Sequence, residues 1–233
     1  MSNPNEKIIL ALDLDDLEQL EKIVCPLQGE LKWVKIGLQL FTKYGPSVVT
    51  RFANLGFSVF LDLKLHDIPN TVSSAVRSLK DLPTGMLTIH TCGGSEMIQA
   101  AVESAEKTNP NLLILGVTVL TSMDQIALNE VGVDKTPETQ VSDLAKIAID
   151  SNLKGLVCSP LEVSKLRKML GTRPFLVTPG IRPSGADFQD QKRIMTPAQA
   201  IETGSSFIVV GRPILMASNP LVAFRSIASE INV

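Results

Sequence analysis

The sequence predicts one α/β domain, a (β/α)8 TIM barrel that spans residues 1–233. The length of 233 residues suits a single barrel and is short for two well-packed domains. Eight short runs rich in leucine or β-branched residues alternate with helical patterns, at a mean spacing of about 28 residues, which fits one βα unit. No linker, low-complexity segment or change in composition divides the chain.

The eight apolar runs are the predicted strands. They cover residues 8–14, 33–37, 58–65, 86–90, 112–119, 155–158, 175–178 and 207–211. An open doubly wound sheet is the alternative, but sheets of that type more often have five or six strands. The closed barrel is therefore the favoured architecture.

Three predicted helices begin with recognisable capping sequences. Ser159 and Thr196 are each followed by proline at the first helical position and by Glu or Gln at the third. Asn219 precedes Pro220 in the same way at the start of the last helix. These signals place helices between the sixth, seventh and eighth predicted strands and after the eighth.

The composition excludes several classes of protein. With 22 basic and 24 acidic residues, the net charge is −2, and no basic stripe indicates nucleic-acid binding. Hydrophobic residues make up 44% of the chain, which argues against disorder. No apolar run approaches the roughly 20 residues that span a bilayer, and residues 1–7 are polar. We expect a soluble, cytoplasmic protein that binds neither nucleic acid nor membranes.

Few residues could bind a metal ion or form a nucleophilic triad. Cys25, Cys92 and Cys158 are far apart, and His66 and His90 are the only imidazoles. The sequence contains no HExxH motif and no Cys/His cluster. We therefore expect chemistry from carboxylates, amines and phosphate-binding backbone, with no metal site.

Charged residues interrupt three neighbouring predicted strands. In residues 58–65, leucines alternate with Asp62 and Lys64, so both charges should face the barrel interior near the carboxyl end of the strand. Asp67 follows this strand, while Lys35 and Asp13 interrupt the second and first strands. Isolated, each buried charge would cost several kcal/mol, so we expect an alternating, paired network. A network that only sets strand register is the alternative, but such charges are commoner at functional sites.

The segments after the last two predicted strands indicate a phosphate site. The seventh strand leads into a long polar connection that contains Arg182 and Gln191, and the eighth ends in Gly211 and Arg212. These loops frequently bind phosphate in barrels, with glycine admitting the anion and arginine donating to it. The connection over residues 180–193 should also close over a ligand as a lid. The alternative is that the glycines only turn the chain and the arginines are solvated.

Several motifs occur together in a fixed order. They are ALD at 11–13, VKIG at 34–37, DLKLHDIPNT at 62–71, LTS at 120–122, PGIRP at 179–183 and VGR at 210–212. Along essentially its whole length the chain resembles the orotidine 5′-phosphate decarboxylase family. The short Asp-x-Lys-x-x-Asp pattern is shared with related sugar-phosphate enzymes, whereas the extended set is highly specific.

The resemblance implies a homodimer that converts orotidine 5′-monophosphate to uridine 5′-monophosphate and carbon dioxide. This reaction is the last step of pyrimidine nucleotide synthesis and needs no metal or organic cofactor. Lys64 would protonate C6 of the pyrimidine within a charged catalytic network of Lys35, Asp62, Lys64 and Asp67. Active sites would lie at the subunit interface, with Asp67 and Thr71 reaching into the partner's site.

The resemblance also implies the substrate contacts. Asp13 and Lys35 would bind the ribose, and Thr121 would contact the pyrimidine. Asp62 would lie beside the substrate carboxylate, either repelling it or orienting Lys64. The phosphate would be bound by Arg182, Gln191, Gly211 and Arg212.

Two other functions remain open. A related sugar-phosphate decarboxylase or aldolase would use the same barrel with a magnesium ion, although Lys35 and residues 67–71 favour the metal-free nucleotide enzyme. A non-catalytic nucleotide binder would keep the phosphate site, although it has no use for so costly a network around Lys64.

Overall fold

The computed structural model describes residues 3–183 and 195–231. Within these residues, eight parallel strands follow one another in chain order around a closed barrel, and the first strand pairs with the last. The strands are β1 (Ile8–Ala11), β2 (Trp33–Gly37), β3 (Ser58–Leu65), β4 (Thr84–His90), β5 (Leu113–Val117), β6 (Gly155–Val157), β7 (Phe175–Thr178) and β8 (Phe207–Val210). The predicted barrel is confirmed, and the open sheet is excluded.

Helices follow the strands and cover the outside of the barrel. In the described residues they are α1 (Leu17–Val24), α2 (Leu38–Tyr44), α3 (Ser47–Asn54), α4 (Pro69–Ser78), α5 (Gly94–Thr108), α6 (Gln125–Glu130), α7 (Pro137–Asp150), α8 (Val163–Leu170), α9 (Pro197–Glu202), α10 (Arg212–Leu215) and α11 (Pro220–Ile231). None of these helices is long and apolar enough to cross a membrane.

The predicted capping sequences are confirmed. Ser159 and Glu162 form a capping box around a short 3-10 turn that leads into α8, and Thr196 and Gln199 form one at α9. The side chain of Asn219 accepts the N–H of Val222 in the first turn of α11. Each cap satisfies backbone donors that have no partner within the helix.

Strand ends differ from the prediction by a few residues. β1 ends at Ala11 rather than 14, and β5 ends at Val117 rather than 119, because the backbone leaves the ladder where the loops of the carboxyl end begin. β4 begins at Thr84 rather than 86, since Thr84 still pairs with Val59.

Two apolar layers result from the alternation of side chains along each strand. The larger layer lies between barrel and helices and contains Leu61 together with the inward faces of the helices. A smaller cluster fills the barrel itself: Ile9, Ala11, Phe60, Met86, Leu115, Val177 and Val209. Phe60 and Leu61 lie in different layers, as predicted for β3, and Asp62 and Lys64 face the interior of the barrel mouth, as also predicted.

Aromatic side chains close the amino end of the barrel. The rings of Trp33 and Phe207 meet edge to face with centroids 6.2 Å apart, and Phe175 lies 5.8 Å from Phe207. Glycine at position 85 makes room for this arrangement, because a Cβ there would lie 2.8 Å from the Trp33 ring. All three aromatic residues begin a strand, so they lie opposite the charged ends of β2 and β3.

Candidate active site

A cavity of about 460 Å³ opens at the carboxyl end of the barrel. We call it the mouth cavity. Eight of the residues predicted for the site line it: Asp13, Lys35, Asp62, Lys64, Thr121, Arg182, Gly211 and Arg212. Ala11, Phe60, Val157 and Val209 contribute its apolar lining. The cavity lies where barrel enzymes bind their substrates.

Four charged side chains along neighbouring strands form what we call the mouth network: Asp13, Lys35, Asp62 and Lys64. Lys64 Nζ donates to both carboxylate oxygens of Asp62 at 2.8 Å. Lys35 Nζ lies 3.5 Å from Asp62 Oδ2 and 3.2 Å from Asp13 Oδ1. The charges alternate in sign from β1 to β3, as expected from the sequence, so each lysine has a carboxylate partner.

The centre of the mouth network is Asp62, whose side chain is 12% exposed. Burial alone would raise the pKa of Asp62, but the charges of Lys35 and Lys64 and the hydrogen bonds from Lys64 and Thr88 outweigh it. The resulting pKa lies below the ordinary value of 3.8. Asp62 is therefore a carboxylate at neutral pH and holds the Lys64 ammonium through charge-assisted hydrogen bonds.

The backbone of β3 is irregular at Lys64. Its φ of 51° lies in the left-handed region, which residues with a Cβ seldom adopt. The pairing of β3 with β4 is also interrupted between Leu61 and Leu65. Such irregularities concentrate at functional sites, where they direct a side chain. No pattern in the sequence predicts this conformation.

The glycine at position 37 makes room for the Lys35 ammonium. A Cβ at Gly37 would lie 3.1 Å from Lys35 Nζ and 3.8 Å from Asp13 Oδ1. A contact of 3.1 Å is closer than carbon and nitrogen ordinarily approach. A Cβ at this position would therefore shift the ammonium by a few tenths of an ångström from its place between the two carboxylates.

The predicted phosphate residues lie after β7 and β8. Arg182 is buried, and its guanidinium donates to the carbonyl of Ile181 at 3.0 Å. Gly211 follows β8 and precedes Arg212, the first residue of α10. A Cβ at Gly211 would come no closer than 3.5 Å to Ala11, so the backbone there is open to the cavity. Gln191 and most of the predicted lid lie outside the described residues.

Two of the predicted site residues are not among the described residues that line the mouth cavity. Asp67 and Thr71 are exposed at the start of α4, and Asp67 Oδ1 accepts the N–H of Ile68 at 2.7 Å. Between them, Ile68 is 67% exposed. The contribution of Asp67 and Thr71 to a partner's site stays a prediction.

Beside Lys64 lies a pair of imidazoles for which the sequence indicates no catalytic function. The rings of His66 and His90 are 5.7 Å apart, and Cys92 Sγ lies 4.0 Å from His66 Nε2. Burial lowers the pKa of His90 below 6.5, and the nearby His66 and Lys64 lower it further. His90 is thus neutral at physiological pH. In the described residues, no three His, Cys, Asp or Glu side chains are grouped as metal ligands.

Comparison with known proteins identifies the family. The family model described as Orotidine 5'-phosphate decarboxylase / HUMPS family matches residues 6–227. The chain belongs to this family. An orotidine 5'-phosphate decarboxylase of Opitutus terrae is 51% identical over 224 residues, which cover 96% of this chain and 97% of the relative. That of Pseudoalteromonas translucida is 45% identical, with 97% of each chain covered.

Solved structures agree with the family assignment. The orotidine 5'-phosphate decarboxylase of Lactobacillus acidophilus superposes with a TM-score of 0.87 at 41% identity, covering 98% of this chain and all of that one. An uncharacterized conserved protein from Geobacillus kaustophilus gives 0.86 at 32% identity, covering 97% of this chain and 100% of its own. The chain is therefore an enzyme of the decarboxylase class, and decarboxylation of orotidine 5′-monophosphate in pyrimidine biosynthesis is its supported reaction.

Proposed function

We propose that the mouth cavity decarboxylates orotidine 5′-monophosphate without a metal ion or organic cofactor, and that Lys64 protonates C6 of the pyrimidine. One observation carries this proposal. The Lys64 ammonium lies in the mouth cavity, fixed by two 2.8 Å hydrogen bonds to the buried carboxylate of Asp62. A proton donor is thus held in place at the part of the barrel where substrates bind.

The chemistry calls for a fixed cation at the reacting carbon. When the bond between C6 and the carboxylate breaks, carbon dioxide leaves and the electron pair remains on C6 in an orbital of the ring plane. The ring π system cannot delocalise that pair, so fixed positive charge must stabilise it. An ammonium beside C6 stabilises the carbanion and then transfers one proton to it, which leaves a neutral amine to be reprotonated by solvent.

Asp62 and Lys35 prepare Lys64 for this step. The carboxylate of Asp62 holds the Lys64 nitrogen in place through two hydrogen bonds, although 29% of the Lys64 side chain is exposed. Lys35 balances the same carboxylate from the other side, at 3.5 Å. We propose that Asp62 orients Lys64. The negative charge of Asp62 would also repel the carboxylate of the substrate when the substrate binds beside it.

The remaining cavity residues are proposed to bind the nucleotide. Asp13, in the loop after β1, and Lys35, within β2, line the cavity and suit the ribose hydroxyls, while Thr121 suits the pyrimidine. Arg182, Arg212 and the open backbone at Gly211 suit the phosphate. We assign Gln191 to the phosphate as well, on the sequence pattern alone. A phosphate bound there supplies binding energy remote from the reacting carbon.

We further propose a homodimer with its active sites at the interface. Asp67 and Thr71 are exposed at the start of α4 beside the exposed apolar Ile68, as expected of residues that a second copy covers. In that arrangement Asp67 of each chain contributes to the other's mouth network. A cytoplasmic location fits an enzyme of nucleotide biosynthesis and completes the proposal.

The test is turnover of orotidine 5′-monophosphate, followed by its ultraviolet absorbance, in the native chain and in Lys64→Ala. Native turnover should survive exhaustive chelation of divalent metals, whereas a magnesium-dependent sugar-phosphate enzyme would not act on this nucleotide. Lys64→Ala should lose at least 10⁴-fold in kcat, roughly the upper range for general acid catalysis, since it also removes the stabilising charge.

Binding of uridine 5′-monophosphate is the control for this experiment. Lys64→Ala should still bind that product, which shows that the cavity is intact. Full turnover by Lys64→Ala would contradict the assignment of the proton donor. Loss of native turnover on chelation would contradict metal independence, and absence of turnover in the native chain would favour a non-catalytic nucleotide binder.

A further inference from the structure

A buried hydroxyl joins both ends of the proposed proton donor. Thr88 lies in β4, next to β3, and is 0% exposed. Its Oγ1 accepts the backbone N–H of Lys64 at 2.9 Å and donates to Asp62 Oδ1 at 2.9 Å. A threonine hydroxyl has one proton to donate, and here that proton is committed to the carboxylate.

The hydrogen bonds form a closed loop. It runs from the Lys64 N–H to Thr88 Oγ1, from that hydroxyl to Asp62 Oδ1, and from the same carboxylate back to Lys64 Nζ at 2.8 Å. The loop therefore holds Lys64 at its backbone and at its ammonium. A long flexible side chain fixed at both ends loses the freedom to leave the reacting carbon.

The left-handed backbone at Lys64 explains why such support is needed. A φ of 51° is strained for a residue with a Cβ and persists only where the surroundings enforce it. Thr88 accepts the N–H of that residue at the point where the pairing between β3 and β4 is interrupted. The hydroxyl thus stabilises the conformation that turns Lys64 into the cavity.

Nearby Thr91 shows what a purely structural hydroxyl does in this barrel. It is equally buried, but its Oγ1 donates to the backbone carbonyl of Val117 at 2.9 Å. Thr88 instead bonds a charged side chain of the mouth network and the backbone of the proposed proton donor. The two threonines offer a matched pair of substitutions.

We propose that Thr88 is a positioning residue, which sets the direction of the Lys64 ammonium toward C6 by bridging Lys64 and Asp62. It does not touch the substrate; it acts through the two residues that it joins. This inference rests on the proposed function, in which Lys64 donates the proton. It predicts an effect on the chemical step rather than on nucleotide binding.

The experiment compares Thr88→Val, Thr88→Ser and Thr91→Val. Thr88→Val keeps the shape and removes the hydroxyl, and should lower kcat at least about tenfold, since 1 Å of misplacement can cost that much or more. The Kd for uridine 5′-monophosphate should change less than twofold. Thr88→Ser restores the hydroxyl and should recover most of the lost kcat, while Thr91→Val should leave kcat within about twofold of native.

A pH profile separates positioning from loss of stability. The hydrogen bond from Thr88 helps to lower the pKa of Asp62, so removal of the hydroxyl makes the carboxylate easier to protonate. The acid limb of kcat should therefore move to higher pH in Thr88→Val and return in Thr88→Ser. If Thr88→Val is insoluble, Thr88→Cys replaces it, and a lowered kcat with a shifted acid limb remains the expected result.

Other results overturn the inference. Native kcat and an unmoved acid limb in Thr88→Val would do so, as would an equal loss of kcat in Thr91→Val. Lys64→Ala is measured in the same series to separate the two proposals. An inactive Lys64→Ala beside a native-like Thr88→Val would refute only the positioning by Thr88, whereas an active Lys64→Ala would refute the proposed function itself.

Discussion

Aromatic rings close the amino end of the barrel, whereas charged side chains occupy its carboxyl end. At the amino end, Phe207 contacts both Trp33 and Phe175, at centroid distances of 6.2 and 5.8 Å. At the carboxyl end, Lys64 and Asp62 are hydrogen-bonded at 2.8 Å. Trp33 and Lys35 are two positions apart and lie on the same face of β2, so one strand contributes to both ends.

This difference indicates that the amino end of the barrel contributes mainly to stability, whereas the carboxyl end carries the groups suited to catalysis. Apolar rings at the amino end lose contact with water without any need for partners. Buried charges at the carboxyl end must instead recover a desolvation cost through pairing, and such pairs add little net stability. The apolar residues Ala11, Phe60 and Val209 lie between the two ends and form the floor on which the mouth network is fixed.

The largest effect on stability is expected from Trp33→Ala. Removing the ring leaves a void against Phe207 and Gly85, and should lower the free energy of unfolding by about 3 kcal/mol, the lower end for a buried aromatic because Trp33 is partly exposed. Denaturant titration measures this loss. The kcat/KM per folded molecule should stay within about twofold, since the mouth network is untouched.

Leu161→Ala is the control for that prediction. Leu161 is 59% exposed, so its truncation should change the free energy of unfolding by less than about 0.5 kcal/mol. A fully folded Trp33→Ala that has lost its activity would contradict the separation of the two ends.

An intermediate effect, on catalysis alone, is expected from Arg212→Ala at the phosphate side of the mouth cavity. Loss of a charge-assisted hydrogen bond of about 1.5–3 kcal/mol corresponds to a decrease in kcat/KM of about 10- to 150-fold. The loss should shrink for orotidine, which lacks the phosphate. Steady-state kinetics with both substrates, and with Arg225→Ala as a remote control, checks this; equal losses for both substrates would count against a phosphate contact.

The smallest expected effect is a pH dependence of stability that arises from His90. Burial and the neighbouring His66 and Lys64 lower its pKa in the folded chain, so the unfolded chain binds the proton more tightly. The contribution of His90 is therefore fully present above about pH 6.5 and is lost as the pH falls below that value. Unfolding titrations between pH 8 and pH 5 should show a shallower decline in His90→Gln. If the free energy of unfolding fell equally steeply with pH in the native chain and in His90→Gln, His90 would not be the cause of the decline.

Much of the fold could be predicted from the sequence, because alternation along a strand and helix capping are local patterns. Strand ends were harder, since Leu12 and Leu14 are as apolar as the paired residues of β1 but lie in the loop beyond it. The helix α2 follows β2 directly, and only Gly211 separates α10 from β8; neither helix begins with a capping side chain that the sequence could reveal.

The residues of the candidate site were likewise predictable from the sequence only in part. Alternation with leucine placed Asp62 and Lys64 on one inward face, and the barrel order brought Lys35 beside them. Thr88 was not predicted, because threonine is ordinary in a strand and its partners are known only once β3 and β4 are paired. The left-handed conformation of Lys64 has no sequence signal either, since it depends on the tertiary contacts that enforce it.

Hydrogen exchange at C6 of uridine 5′-monophosphate tests the central claim most directly. A group that delivers a proton to C6 must also be able to remove it, so the enzyme should exchange that hydrogen for deuterium in D2O. Proton NMR follows the loss of the C6 hydrogen signal with the native chain and with Lys64→Ala at a saturating product concentration. We predict exchange with the native chain and none above background with Lys64→Ala; exchange at the native rate in Lys64→Ala would contradict the assignment of Lys64 as the proton donor.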